Sequence, residues 1–414
     1  MNKTTLFCFL ILIIMTGGLC GSAPLLKVRE KPKNPIEYGE PTEPTTIVIS
    51  IVDKNATAET KALYGNLYKI GETGFMFGHH DDLIYGRHWY HTEGGSDTKA
   101  VCGDYPAIFS LDFSTIMDDR SDKPSFINEN NVRKKVILEA RKRGEVITAC
   151  CHLNNPLTNG NSWDNSRTDV VAEILKDGST TNVKFKLWLD KLAAFVSDLK
   201  DENGNLIPVL FRPFHEHTQN WSWWGSGCTS EAEFIGLWRF TVEYLRDTKG
   251  VHNLIYVISP QMDGIYDNTA SRLLFRYPGD DYVDVLAMDC YHGTNAAAFK
   301  NNVQQIVLIA AAKGKPCGVS ETGMEGFMGE NFWTKGLVEP IGEQNLSFVI
   351  VWRNKYVNGN EGDRHFFSVF PNHPSVPDFL EMYRNSRALF SGALPDMYSS
   401  DGRGNAKVRT GTKL

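Results

Sequence analysis

Apolar residues gather in eight short runs along the chain: Phe75–His79, Ala107–Phe113, Val146–His152, Pro208–Glu216, Leu254–Pro260, Val283–Tyr291, Cys317–Thr322 and Phe348–Trp352. Most are near-continuous rather than alternating, the pattern of strands buried on both faces of a parallel sheet. Between them, helical periodicity is clear in Glu129–Arg143, Val183–Leu199, Glu231–Asp247 and Phe299–Lys313. Strands alternating with helices in this way predict an α/β fold, a single (β/α)8 TIM barrel over residues 47–396. A doubly wound open sheet is the competing arrangement. No glycine-rich dinucleotide or P-loop fingerprint follows the first run to support it.

The two ends read differently. Behind Lys3, Leu6–Met15 is an unbroken apolar run followed by Thr16, Gly17 and Gly18. That is the pattern of a secretory signal peptide, here residues 1–23, and it is too short to span a bilayer. Gly21-Ser22-Ala23 fits the small-residue cleavage rule, although Pro24 follows it. Cys20 invites comparison with a bacterial lipoprotein site, but Leu19 does not suit that motif. Residues 24–46, rich in Pro, Lys, Glu and Thr, read as a linker or arm. Residues 397–414 read as a polar tail, expected to be disordered. No other apolar run is long enough for a membrane helix, so a secreted or extracellular protein is expected.

Composition narrows the partners. A net charge of −6 over 414 residues gives no footprint for nucleic acid or an anionic membrane. The chain has eight cysteines, two of them in the signal region, and none in a CxxC or zinc-ligand spacing. One or two disulfides, or small buried thiols in strands, both fit the remaining six. Nine tryptophans stand out in an otherwise average chain. Tryptophans in loops offer flat faces for stacking.

Barrel enzymes carry their chemistry at the C-terminal ends of strands. The fourth run ends Arg212-Pro213-Phe214-His215-Glu216, and the seventh contains Ser320-Glu321-Thr322. Glu216 and Glu321 can therefore face one another across the mouth, as the acid/base and nucleophile of a retaining glycosidase do. Trp221, Trp223 and Trp224 follow Glu216, and a carboxyl held among aromatics is desolvated and raised towards a general acid. Arg212, expected to share a strand face with Phe214 and Glu216, could orient Glu321, and Tyr291 could donate to the same carboxylate. Trp352, ending the eighth run before Arg353 and Asn354, is placed to offer its face to a sugar ring.

The run FRPFHEHTQNWSWWG (Phe211–Gly225), with GVSETG (Gly318–Gly323) about a hundred residues later, resembles glycoside hydrolase family 26. The best known members of that family are endo-β-1,4-mannanases. The likeness extends over roughly Tyr64 to Phe390. It implies that Glu216 is the acid/base and Glu321 the nucleophile. It also implies substrate contacts from His152, His215, Trp221, Tyr291, Trp352 and Arg353. His217-Thr218-Gln219 stands where many relatives have Met-Asn-Gly, a difference in local loop shape.

The loop GHHDDLIYGRHWYHTEGG (Gly78–Gly95) is rich in His and Asp but has no metal-ligand pattern, so no metal and no cofactor is expected. The resemblance favours His79 and Trp89 there as sugar contacts. At most one of the adjacent Trp223 and Trp224 is expected to face the sugar. Trp163, Trp188, Trp238 and Trp333 read mostly as packing residues.

The expected partner is β-mannan or manno-oligosaccharide, bound by a monomer. A β-1,3-1,4-glucanase or xylanase on the same scaffold is the neighbouring alternative. A non-catalytic carbohydrate-binding barrel is the alternative from another class, and the presence of both glutamates argues against it.

Overall fold

Each of the eight apolar runs becomes a strand, and the strands close on themselves. The computed structural model describes residues 50–400, so the expected signal peptide, the linker and residues 401–414 lie outside it. The strands are β1 (Phe75–His80), β2 (Ile108–Asp112), β3 (Val146–Cys150), β4 (Val209–Arg212), β5 (Leu254–Ile258), β6 (Val285–Asp289), β7 (Cys317–Thr322) and β8 (Phe348–Val351). All neighbours are parallel, and β1 pairs with both β2 and β8, which closes the barrel. A short ninth strand, β9 (Ala388–Leu389), pairs with the start of β1.

Side-chain alternation explains the two cores. Inward positions such as Met76, Ile108, Val146, Leu210, Ile255, Val285 and Phe348 fill the barrel. Outward positions such as Phe77, Phe109, Ile147, Phe211 and Val349 pack beneath the helices. Gly318 must lack a side chain, because a Cβ there would lie 2.4 Å from the Phe348 ring. Towards the C-terminal ends the inward positions turn polar: His80, Asp112, Arg212 and Asp289 replace the aliphatic layer. That switch marks one open, polar face.

The other face is plugged. A helix at Ala58–Thr73 presents Leu63, Tyr64, Leu67 and Ile70 to the interior cluster. Its pattern was obscured in sequence by Gly65 and Gly71, and the latter lets the helix approach the backbone of Asn345. The periodic segments become helices Pro124–Arg143, Thr180–Asp198, Glu231–Glu243 and Ala296–Lys313. Ser230 and Glu233 form a reciprocal capping box at the start of the third. Its expected last turn, Tyr244–Thr248, widens into a π-helical turn.

One expectation shifts, and one open choice is settled. Met397 and Tyr398 are buried at the foot of the barrel, so the folded region runs past residue 396. The Tyr398 hydroxyl donates to the Glu145 carbonyl at 2.7 Å, and Arg141 lies 3.8 Å over its ring. Cys150, Cys151, Cys228, Cys290 and Cys317 are buried thiols, not disulfide partners. Among the described residues no helix is long and apolar enough to cross a membrane.

Candidate active site

A cleft of about 390 Å³ opens on the polar face, lined by His152, Trp163, His215, Glu216, Trp221, Tyr291, Glu321, Trp352 and Phe367. Glu216 and Glu321 each offer a carboxylate oxygen within 4.8 Å of the other, and Asp289 completes the group.

Glu321 reaches the interior through an irregularity. Val319 faces outward with the helix-side core, so strict alternation would turn Glu321 outward as well. Instead the β6–β7 register slips: Met288 pairs with Val319, but Asp289 pairs with Glu321. Ser320 is the extra residue, and its hydroxyl donates to Asp289 Oδ1 at 2.6 Å. A bulge that re-aims a side chain is common beside active sites. Once inside, Glu321 Oε1 takes a close hydrogen bond from Arg212 Nη2, and Oε2 takes the Tyr291 hydroxyl at 2.8 Å.

Glu216 is positioned by a kink. β4 ends at Arg212, and both Phe214 (φ 52°) and Glu216 (φ 53°) are left-handed, a conformation costing ~1–2 kcal/mol for a non-glycine residue. Arg212 and Phe214 therefore do not share a face. Arg212 points into the barrel, while Phe214 packs outside against Trp223, Trp224 and Phe234. The Glu216 backbone N–H donates to the Ser259 carbonyl at 2.8 Å, and Oε2 accepts the Trp221 indole N–H at 2.9 Å. Burial, then the charge of Glu321, pushes the Glu216 carboxyl well above its ordinary range, with the Trp221 hydrogen bond opposing.

Arg212 is the cation among these carboxylates. Its Nη1 donates to Asp289 Oδ2 at 2.8 Å and to Ser259 at 2.9 Å. Burial opposes its charge, but the charges of Asp289 and Glu321 outweigh that and raise its pKa. The guanidinium already supplies the positive charge that a metal would bring to this group.

A second chain of polar contacts runs beside the first. Asp112 Oδ2 accepts from His152 Nδ1 at 2.6 Å, and His152 Nε2 lies 3.1 Å from His215 Nε2. His152 keeps its proton on Nδ1 and donates it to Asp112, so Nε2 of His152 is the acceptor and His215 the donor. That arrangement leaves the buried, unpartnered His215 Nδ1 as a bare acceptor rather than a stranded donor. Burial would raise Asp112, but the hydrogen bond and charge of His152, with donors from Ser114, hold it well below its ordinary range. Burial, then the charges of His152 and Arg212, keeps His215 well below the usual histidine range.

This constellation is what hydrolysis of a sugar acetal needs: a desolvated carboxyl opposite a second carboxylate, in an aromatic-walled cleft. The sequence agrees independently. A profile of glycosyl hydrolase family 26 matches residues 52–335. The chain belongs to glycosyl hydrolase family 26.

Within that family, a mannan endo-1,4-β-mannosidase of Bifidobacterium adolescentis is 34% identical over 293 residues, 67% of this chain and 28% of that protein. The chain thus spans little more than a quarter of that relative's length. A solved family 26 β-mannanase from Bacteroides ovatus is 35% identical with a TM-score of 0.75, covering 86% of this chain and 100% of that one. GH26C from a Muricauda species is 30% identical with a TM-score of 0.76, covering 84% and 95%.

Most of the expected site residues of this family 26 chain converge on the cleft, but two do not. His79 faces away from the barrel interior, with Nδ1 3.0 Å from Asp82 and 3.3 Å from Thr98. Its neighbour His80 takes the inward place and stacks on Trp352, with ring centroids 4.1 Å apart. Trp89 lines a separate groove with Phe370 and Pro371, its indole N–H bound to Asp97 at 3.0 Å. Arg353 sits beside the cleft, with Nη1 on the Tyr85 hydroxyl at 2.9 Å.

Trp223 and Trp224 are both buried, so neither faces a ligand. Their N–H groups hold the Leu153 and His215 carbonyls. Trp163, one of four tryptophans read mostly as packing, is the exception, 67% exposed on the cleft wall. Asp112, Asp289 and Phe367 were missed as well. The first two end inward-facing strands beside the identified residues, a positional signal that was available.

Proposed function

We propose that this chain is a secreted, retaining endo-β-1,4-mannanase. The observation that carries the mechanism is the approach of Glu216 and Glu321, which bring carboxylate oxygens within 4.8 Å of each other, closer than the inverting arrangement, where a nucleophilic water and the sugar must both fit between the carboxyls. Carboxyl groups about 5–5.5 Å apart belong to double displacement, and wider spacings to inversion. Glu321, held by Arg212 and Tyr291, attacks the anomeric carbon. Glu216, kept protonated by burial, gives its proton to the leaving oxygen. Its carboxylate then takes a proton from water, which cleaves the glycosyl-enzyme and regenerates both groups.

Trp221, bound to Glu216, lies on the leaving-group side. Trp352, on the opposite wall with His80 behind it, serves the non-reducing side. Mannan as substrate is supported by the Bifidobacterium and Bacteroides relatives and by an aromatic-walled cleft suited to stacking on a neutral polysaccharide. Secretion is supported by the amino-terminal apolar run.

The test is product analysis on galactomannan, glucomannan, lichenan and xylan side by side. The expected result is release of short oligosaccharides from the mannans, with the β-configuration kept in the first product by NMR. First products of α-configuration would overturn retention. Release from lichenan or xylan alone would overturn the substrate. Glu216→Ala and Glu321→Ala are each expected to abolish turnover, and either one keeping near-wild-type rates would overturn the assignment.

A further inference from the structure

Beside the cleft, three side chains of different chemistry converge. Asp112 ends β2, Cys150 ends β3, and His152 lies two residues beyond. Cys150 Sγ is 3.7 Å from Asp112 Oδ2 and 3.9 Å from His152 Nδ1, and those two atoms are 2.6 Å apart. Cys150 is not needed for the hydrolytic steps, and its thiol is buried, meeting the cleft only through the back of His152.

We propose that Asp112, Cys150 and His152 form a binding site for a thiophilic divalent cation of the zinc type, and that its occupation inhibits the enzyme. Zinc bonds of roughly 2.3 Å to sulfur and 2.0–2.2 Å to nitrogen and oxygen, set tetrahedrally, place ligand atoms roughly 3.3–3.6 Å apart. Both sulfur distances already lie within a few tenths of an ångström of that range. Only the Asp112–His152 distance must open, by roughly 0.7 Å.

The mixed thiolate, imidazole and carboxylate set favours zinc or cadmium over magnesium or calcium. The ion displaces the Cys150 thiol proton, which is released to solvent, and shifts the His152 proton from Nδ1 to Nε2, so the ring stays neutral. Two anionic ligands then balance its charge. The Asp112 and His152 side chains are 18% and 28% exposed, which gives a route from the cleft and room for a water as fourth ligand. The other carboxylate group, Glu216, Asp289 and Glu321, offers only oxygen ligands and already holds Arg212.

Inhibition follows from the histidine pair. Without an ion, His152 Nε2 accepts from His215 Nε2. With an ion on Nδ1, the His152 proton moves to Nε2, and the hydrogen bond must reverse. His215 would then carry its proton on Nδ1, which is buried with no partner. Occupation therefore strands a buried donor on His215, the residue next to Glu216, and unseats it.

The experiment uses the full chain with cadmium or zinc chloride as the probe. Cadmium is expected to give the ultraviolet charge-transfer band of a cadmium–thiolate bond at one equivalent. Saturating zinc is expected to lower turnover roughly tenfold or more, reversed by a chelator. Cys150→Ala keeps metal-free turnover and loses both the band and the inhibition. Cys150→Val, a residue at home in a strand, serves the same purpose if the alanine variant does not fold.

A band and inhibition that persist in both variants would overturn the site and point to another thiol or to the carboxylates. Zinc that binds at Cys150 without lowering turnover would overturn the inhibition. The band and equilibrium dialysis need no substrate, so this result stands apart from the identity of the polysaccharide.

Discussion

His80 lies flat beneath Trp352, with ring centroids 4.1 Å apart and planes 20° from parallel. Its Nδ1 is pinned to the Ser110 hydroxyl at 2.8 Å. Burial pushes its pKa down to about 4, so it is a neutral ring at working pH and stacks without bringing a charge. Aromatic pairs contribute ~0.5–1.5 kcal/mol beyond area. His80→Ala is therefore expected to lower kcat/KM by roughly two- to twelvefold through a loosened Trp352. His79→Ala, which breaks a buried contact with Asp82, is expected to lower stability by about 1–3 kcal/mol instead. Thermal melts and kinetics on both variants separate the two. A larger kinetic loss in His79→Ala would reverse their roles.

Tyr291 and Arg212 divide the two oxygens of Glu321 between them. Hydrogen bonds to charged groups contribute about 1.5–3 kcal/mol. Removing the hydroxyl in Tyr291→Phe keeps the ring and is expected to lower kcat/KM by roughly 10- to 150-fold, with little change in melting temperature. A variant with unchanged kinetics would show that Arg212 alone holds Glu321.

These relationships differ in how far the chain itself discloses them. The barrel was legible because eight apolar runs carry the signal of strands buried on both faces. Glu216 and Glu321 were legible as a pair, because two carboxylates ending the fourth and seventh runs can face each other across the barrel mouth, whereas either one alone could be a strand-end salt bridge. What alternation hides is different. His79 and His80 are adjacent, and only the register of β1 decides which one turns inward. Glu321 obeys no simple parity, because Ser320 adds a residue that appears only when β7 is paired with β6. Arg212 and Phe214 read as one face, yet the left-handed turns at Phe214 and Glu216 separate them. Trp163 and Trp224 look alike in sequence. Their fates depend on loop packing after β3 and β4, where Asn165 Nδ2 holds the Asn220 carbonyl at 2.9 Å and no periodicity exists to read.

That loop contact sets up a third expectation. Trp163 shares the cleft wall with Trp221, on the side assigned to the leaving group. Its exposed ring costs hydration in the free protein and gains a partner only when a sugar lies on it. Trp163→Ala is expected to raise KM for longer manno-oligosaccharides by roughly two- to tenfold, taking a stacked ring as ~0.5–1.5 kcal/mol. Substrates whose leaving group is a simple phenol should be affected far less. Equal losses on both would mean that Trp163 acts by shaping the loop rather than by touching sugar.

The acid role proposed for Glu216 has a pH signature with a defined sign. Burial, then the charge of Glu321, raises its pKa, so the protonated form that donates to the leaving oxygen persists above the ordinary carboxylate range. Activity should therefore fall on the alkaline side, as pH rises through that raised value. The Trp221 N–H, 2.9 Å from Oε2, works in the opposite direction because it stabilises the carboxylate. Trp221→Phe removes that bond and keeps an aromatic ring, so the acid form should survive to higher pH. The alkaline limb of kcat/KM is expected to move upward, on the order of half a pH unit for a bond of about 1 kcal/mol. The measurement compares pH profiles of wild type and Trp221→Phe on manno-oligosaccharides. Glu216→Gln is compared with wild type on an aryl glycoside with an activated leaving group. A limb that stays in place in Glu216→Gln would assign the titration to another group, and a downward move in Trp221→Phe would show that the indole stabilises the acid form rather than the carboxylate.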